Sequence, residues 1–187
     1  MIHDSVPWKS RLIGDADLIE RWAAKPSRSE RRSFLIEQKV FLAAYAMRKL
    51  DDATKLSTST LSAPMRVQRF APVRSGYSEV NSHRFDKFFD LSTATPVDMP
   101  NRRLVNLLIH SLVFVEVIGE AETFDAFMVT SDYEQAKGLI QVELADFTGL
   151  MRSVADDYPS LIRRTRDKTT GQWRTWAGHE DPSFGET

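Results

Sequence analysis

The chain contains no cysteine. That excludes disulfide bonds and thiolate metal centres, and it fits a reducing compartment. Histidine is scarce: His3, His83, His110 and His179 are scattered, and none stands at metal-ligand spacing from another. The glycines, at positions 14, 76, 119, 138, 149, 171, 178 and 185, build neither a P-loop nor a GxGxxG fingerprint. No GxSxG elbow or HExxH helix occurs. No metal site and no cofactor are therefore expected. The amino-terminal stretch MIHDSVPWKSRLIGD lacks the apolar core of a secretory signal. The longest apolar tract, Leu104 to Ile118, spans 15 residues and is broken by Asn106, His110, Ser111 and Glu116. It is too short and too polar for a bilayer. These absences predict a soluble, cytoplasmic protein with no membrane partner.

Charge of neither sign dominates, because 25 Lys and Arg meet 26 Asp and Glu for a net −1. The distribution is uneven. Residues 1–110 hold 18 basic against 12 acidic side chains, residues 111–157 hold 2 against 10, and residues 158–187 hold 5 against 4. Such asymmetry marks either a basic face for an anionic partner or two regions that fold against each other. At 187 residues, 42 % hydrophobic and 27 % charged, the chain has the size and composition of one globular domain. No repeat, low-complexity tract or linker divides it, so residues 1–187 read as a single domain.

What the chain does have is a long helical stretch, Ser29–Lys55, free of glycine and proline. Ser27 or Ser29 is its candidate cap, and Glu30 sits near its positive end. Between Val40 and Met47 no residue is charged. Phe34, Phe41 and Tyr45 point to one side, Ile36, Ala43, Met47 and Leu50 to the other. A helix apolar all round its middle is expected to be covered on most sides. Ahead of it, residues 1–14 read as an extended arm anchored by Trp8, Leu12 and Ile13. Asp17–Lys25 reads as a short helix, with Asp17 and Glu20 at capping-box spacing and Pro26 as its stop.

Further on, Met65–Phe70 has strand character. Residues 71–100 read as a weakly structured connection, punctuated by Gly76, Asn81, Pro96 and Pro100. Asp98 could cap a helix running from Met99 to His110. Ser111–Ile118, Thr123–Thr130 and Leu139–Leu144 form an antiparallel meander, since Val- and Phe-rich or strictly alternating runs flank polar turns. A helix from Asp146 or Thr148 to Asp157 follows. Last comes a hairpin, Leu161–Arg166 with Gln172–Trp176, and residues 178–187 read as a frayed tail. The expected fold class is α+β: a long central helix packed on a mainly antiparallel sheet, made of the meander 111–144 and the hairpin 161–176.

Candidate chemistry is sparse. Glu37-Gln38-Lys39 matches the E-x-K fragment of a nuclease site, but residues two apart on a helix point away from each other. Asp156 and Asp157 read as a solvated helix terminus. Asn106 and His110, four residues apart, share a helix face where a histidine can act as acid, base or ligand. Its plainer role is to cap a helix end. Glu116 interrupts the strand Val113–Ile118 and reads as a solvated outer-face carboxylate. Asn106, His110 and Glu116 are the candidate catalytic residues.

The hairpin is the other signal. Arg163, Arg164, Arg166, Lys168 and Arg174 meet only Asp167 between residues 161 and 176, and Trp173 and Trp176 are interleaved with them. Arginine with aromatics suits phosphate tracking and base stacking. Arg163, Arg164, Arg166, Lys168, Trp173 and Arg174 are thus the candidate anion or nucleic-acid residues, and Arg66, Arg69 and Arg74 would extend them if the strands are neighbours. The sequence points to a non-catalytic interaction module or accessory subunit that binds a protein or nucleic-acid partner, or itself. The alternative is a hydrolase or nuclease built on Asn106, His110 and Glu116.

Overall fold

In the computed structural model, residues 2–26 and 29–180 are described. Two antiparallel sheets and five helices are built from them. The helices are α1 (Val6–Ala23), α2 (Glu30–Asp52), α3 (Thr58–Ser62), α4 (Asn101–Ile109) and α5 (Leu144–Asp156). The strands are β1 (Pro64–Pro72), β2 (Phe89–Pro100), β3 (Ser111–Ile118), β4 (Phe124–Ser131), β5 (Leu139–Glu143), β6 (Leu161–Arg166) and β7 (Trp173–Gly178). The first five strands form one sheet in the order β2-β1-β5-β4-β3, and β6 pairs only with β7. The α+β class and the meander β3-β4-β5 are as expected, while the hairpin forms a sheet of its own.

Alternation along the central strands splits the core in two. Phe127 and Val129 of β4 and Ile140 and Val142 of β5 join the main cluster with α1, α2, α4 and α5. Their neighbours Met128 and Leu139 turn to the opposite face and meet Phe70, Tyr77, Phe88 and Phe89. The two-residue period of a strand produces this two-sided burial. On that second face Tyr77 packs edge-on against Phe89 at 5.2 Å and donates its hydroxyl to the Ser82 carbonyl at 2.9 Å. Burial pushes the phenol up to about 12.

The amino-terminal arm is not extended. Helix α1 starts at Val6, because Pro7 falls in the first turn, where its missing N–H costs nothing. Lys9, Leu12, Asp15, Ala16, Ile19 and Ala23 form its buried face. Gly14, the last residue of the expected arm, lies mid-helix where an added Cβ would meet no atom within 4 Å. Asp17 and Glu20 do not start a helix. They lie mid-helix and hold Arg152 of α5 at 2.8 and 2.6 Å.

Residues 71–100 are not a loose connection either. They hold a 3-10 segment, Glu79–Lys87, and the whole of β2. Strand β2 pairs with β1 from Pro64↔Pro100 to Phe70↔Ala94, with a bulge before Pro72↔Phe89. As the sheet edge it exposes most of residues 91–96, so it lacks an apolar alternation, and its prolines fit an edge position. Asp98 is a strand residue bonded to Arg66 at 3.0 Å, and Pro100 stands at the start of α4 instead.

Helix α2 is central but covered on one face. Ile36, Val40, Ala43, Ala44, Met47 and Leu50 are buried. Phe34, Leu42 and Tyr45 are 59 %, 53 % and 49 % exposed. The covering comes from α1 and α4, and from β3 through Phe41 and Phe114, whose rings lie 5.4 Å apart. Ser29 stands at its N-cap in extended conformation; Ser27 and residues 181–187 of the carboxyl-terminal tail lie outside the described residues. Gly178, placed at the start of that tail by the sequence, closes β7.

Candidate nucleic-acid interface

The β6–β7 hairpin is set by its turn. The Asp167 carboxylate accepts the main-chain N–H groups of Thr169 and Thr170, each at 2.9 Å, and Gly171 supplies a φ of +71°. Those two backbone hydrogen bonds hold the Asp167 carboxyl below its ordinary range. The strands then run in register from Arg166↔Trp173 to Leu161↔Gly178.

That register deals the candidate residues onto two faces. Ile162, Arg164 and Arg166 share one face with Trp173, Thr175 and Ala177. Leu161, Arg163 and Thr165 share the other with Arg174, Trp176 and Gly178. Every residue of β6 is exposed, and Trp173 is exposed to 67 %. Trp176 behaves differently: its indole lies so close to Gly178 that a Cβ there would meet the ring at 2.4 Å. Arg174 is 2.9 Å from Asp167, and Arg166 donates from Nε to the Gly171 carbonyl at 3.1 Å. The first face therefore offers the open arrangement, a bare indole beside Arg164 and Arg166.

The hairpin is fastened at its base. Ala177 donates its N–H to Thr58 Oγ1 at 3.0 Å, and the Ser160 N–H reaches the Gly178 carbonyl at 3.1 Å. Beneath it lies a polar knot around Asp157. That carboxylate accepts the Ser57 N–H and hydroxyl, both at 2.6 Å, and the Thr60 hydroxyl at 2.5 Å. Lys9, 1 % exposed, donates to the Asp157 carbonyl and sits 3.7 Å from the centre of the Tyr158 ring. Burial pulls the Lys9 ammonium below its usual range against the attraction of Asp157 and Asp156. For Asp157 burial alone would raise the carboxyl, but the Ser57 and Thr60 hydrogen bonds and the Lys9 charge outweigh it and leave it lowered. Asp157 is thus no solvated terminus. Its partners lie about a hundred residues upstream, and no local pattern signals them.

Arg66, Arg69 and Arg74 do not extend the basic surface, because β1, which holds the first two and leads into the third, belongs to the other sheet. Arg66 pairs with Asp98, and Arg74 lies 5.7 Å from the Phe88 ring.

Asn106 and His110 do line one cleft, of about 320 Å³, together with Arg102, Arg103, Tyr133 and Glu134. Asn106 accepts from Arg48 at 2.9 Å, and His110 is the exposed residue that closes α4, its N–H donating to the Asn106 carbonyl at 3.1 Å. Glu116 is elsewhere. It opens on a different cleft with Glu30, Ser33, Phe34 and Glu37. Nor is it a solvated carboxylate: it accepts from Arg32 at 2.7 Å and from the Ser33 hydroxyl, because the start of α2 lies over β3. Glu37 faces that second cleft while Lys39 is buried on Asp15 at 2.6 Å, the divergence expected of residues two apart on a helix.

Among the described residues no group of three or more His, Asp or Glu is arranged to hold a metal ion, and no helix is long and apolar enough to cross a membrane. No protein-family model matches the chain, and no curated protein and no solved structure matches it.

Proposed function

We propose that this chain is a non-catalytic binding module whose β6–β7 hairpin holds an extended, single-stranded nucleic acid. The observation that carries the reading is Trp173, 67 % exposed and directly opposite Arg166 in the register, with Arg164 on the same face. An exposed indole offers a stacking surface to any base, and the guanidinium groups beside it track the phosphates. A two-stranded hairpin with both faces of β6 in solvent is also marginal by itself, so a partner laid on it stabilises it. Fluorescence anisotropy with labelled single- and double-stranded DNA and RNA tests this. Saturable binding is expected at about 50 mM salt and marked weakening at about 200 mM, as condensed counterions are released on binding. Absence of saturable binding at the lower salt refutes it.

A second reading, hydrolysis, is favoured by the cleft that Asn106 and His110 share. Its carboxylate would come from Glu134, which lines that cleft, and not from Glu116. A His110→Ala variant that loses a measured hydrolytic activity while keeping its melting temperature would establish it.

A further inference from the structure

A cleft of about 420 Å³ is lined by β1 on one side and α5 on another. Strand β5 pairs with β1 only at residues 68–70, so it does not reach Pro64, Met65 and Arg66, which line the cleft together with Leu150 of α5. Asn101, at the start of α4, lines it too and is 6 % exposed. Its main-chain N–H donates to the Ala63 carbonyl at 2.9 Å, and its Nδ2 donates to the Thr60 carbonyl at 3.1 Å. The second bond fixes which end of the amide is the donor. Oδ1 is therefore the acceptor end, and this buried oxygen receives no hydrogen bond. Buried polar atoms are nearly always satisfied, so an orphaned acceptor on a residue that lines a cleft points to a donor bound there.

The other polar groups of the cleft say what kind of donor that is. The Thr60 hydroxyl gives its proton to Asp157, and the Ser153 hydroxyl gives its proton to the Gly149 carbonyl at 3.0 Å. Both oxygens keep only lone pairs to offer. Asp146 adds an exposed carboxylate with no ion-pair partner among the described residues. Arg66 is held by Asp98 at 3.0 Å, so that pair adds no net charge. The cleft thus presents acceptors and one uncompensated negative charge around an apolar lining of Met65 and Leu150. An anion would be repelled by Asp146, and a neutral apolar ligand would leave Asn101 Oδ1 unsatisfied. A primary ammonium supplies three N–H donors and a positive charge, and the aliphatic chain behind it covers the apolar lining. We propose that this cleft binds a primary alkylammonium group, carried by a free amine or by a lysine side chain, with Asn101 Oδ1 and the Asp146 carboxylate as its acceptors.

Proton–nitrogen NMR spectra of the full chain, titrated with n-butylammonium chloride from about 0.1 to about 50 mM, test the site over a span that brackets millimolar binding. The Asn101 side-chain amide and the main-chain amides of Met65 and Ser153 are expected to shift saturably. Tetramethylammonium, which carries the charge without an N–H donor, is expected to cause no saturable shift there. Asp146→Asn alters an exposed position and is expected to keep the remaining spectrum while raising the dissociation constant about tenfold, through loss of a charge-assisted hydrogen bond. Nα-acetyl-lysine methylamide offers the same ammonium on a peptide. Tighter binding than n-butylammonium assigns the site to a lysine side chain, and equal or weaker binding assigns it to a free amine. Wild-type resonances that do not shift would mean that solvent meets the orphaned oxygen, and would overturn the proposal. Equal shifts with tetramethylammonium, or an Asp146→Asn affinity equal to that of wild type, would overturn it as well.

Discussion

Lys9 donates from its buried ammonium to the main-chain carbonyl of Asp157, 148 residues further along the chain. This bond, with the Ser57 and Thr60 hydrogen bonds to the Asp157 carboxylate, joins α1, the α3 region and the end of α5 at the root of the hairpin. Removing the carboxylate strands the Ser57 N–H and hydroxyl and the Thr60 hydroxyl, and takes a nearby negative charge from Lys9, which keeps the main-chain carbonyl. Asp157→Ala is therefore expected to destabilise the fold by about 1–3 kcal/mol for each buried donor left without an acceptor. Urea unfolding of the two proteins measures it. A loss below about 1 kcal/mol, the size of an ordinary surface substitution, would show the knot to be incidental.

The same carboxylate predicts a pH dependence. Its folded value lies below the ordinary 3.8, so it binds protons less readily folded than unfolded. Its contribution is thus fully present above the ordinary value and lost as pH falls through the lower folded one. Thermal melts of wild type and Asp157→Asn are expected to differ by a constant amount at neutral pH and to converge below about pH 4, near the ordinary carboxylate value. A difference that persists unchanged in acid would contradict this.

Much of the architecture was legible because its signals are local. Strands β3, β4 and β5 alternate or run apolar between polar turns, and Lys168-Thr-Thr-Gly171 announces the turn of the hairpin. What escaped was set by tertiary context. Strand β2 is an edge, mostly exposed from 91 to 96, and so carries no alternation to read. Residues 1–14 read as an extended arm, yet Pro7 falls in the first turn of α1 and Gly14 faces open space within it. The apolar middle of α2 does not tell a core face from an exposed one, because composition alone cannot distinguish Leu50, fully buried, from Leu42, half in solvent. Among the site candidates, the register brought Arg164, Arg166 and Trp173 to one face. Glu116 was separated from His110 because α2 lies across β3 and claims it for Arg32.

Helix α2 offers a direct contrast between its two faces. Ala44 is fully buried among α2's neighbours, whereas Leu42, two residues earlier, is 53 % exposed. Ala44→Asp places an unpaired charge in the core and is expected to abolish the folded protein, at a cost of several kcal/mol. Leu42→Asp is expected to change protomer stability by less than about 1 kcal/mol. Circular dichroism melts of both variants at low protein concentration check the pair. Equal damage from the two would contradict the one-faced burial.

Arg32 is 8 % exposed and is held by the Lys25 carbonyl at 2.7 Å and by Glu116 at 2.7 Å. Glu116→Ala leaves the guanidinium with one charged contact fewer in a buried setting. A destabilisation of about 2–4 kcal/mol is expected from the stranded charge. Glu116→Gln should recover part of it by keeping an acceptor. If Glu116→Ala left the melting curve unchanged, the α2–β3 ion pair would not be holding the helix on the sheet edge.

If Arg164, Arg166 and Trp173 form one surface for a phosphate backbone and its bases, as proposed, binding depends on salt in a way that separates the two arginines from the indole. Affinity of wild type and of Arg164→Ala, Arg166→Ala and Trp173→Ala for a single-stranded oligonucleotide is measured by anisotropy between about 50 and 200 mM salt. Each arginine that contacts a phosphate is expected to lower the slope of log affinity against log salt by about 0.7 when removed. Trp173→Ala should leave the slope unchanged and cost roughly 1–3 kcal/mol of stacking for each base lost. Contradiction would come from wild-type protein that binds no oligonucleotide at the lower salt, or whose slope and affinity are the same in all three variants.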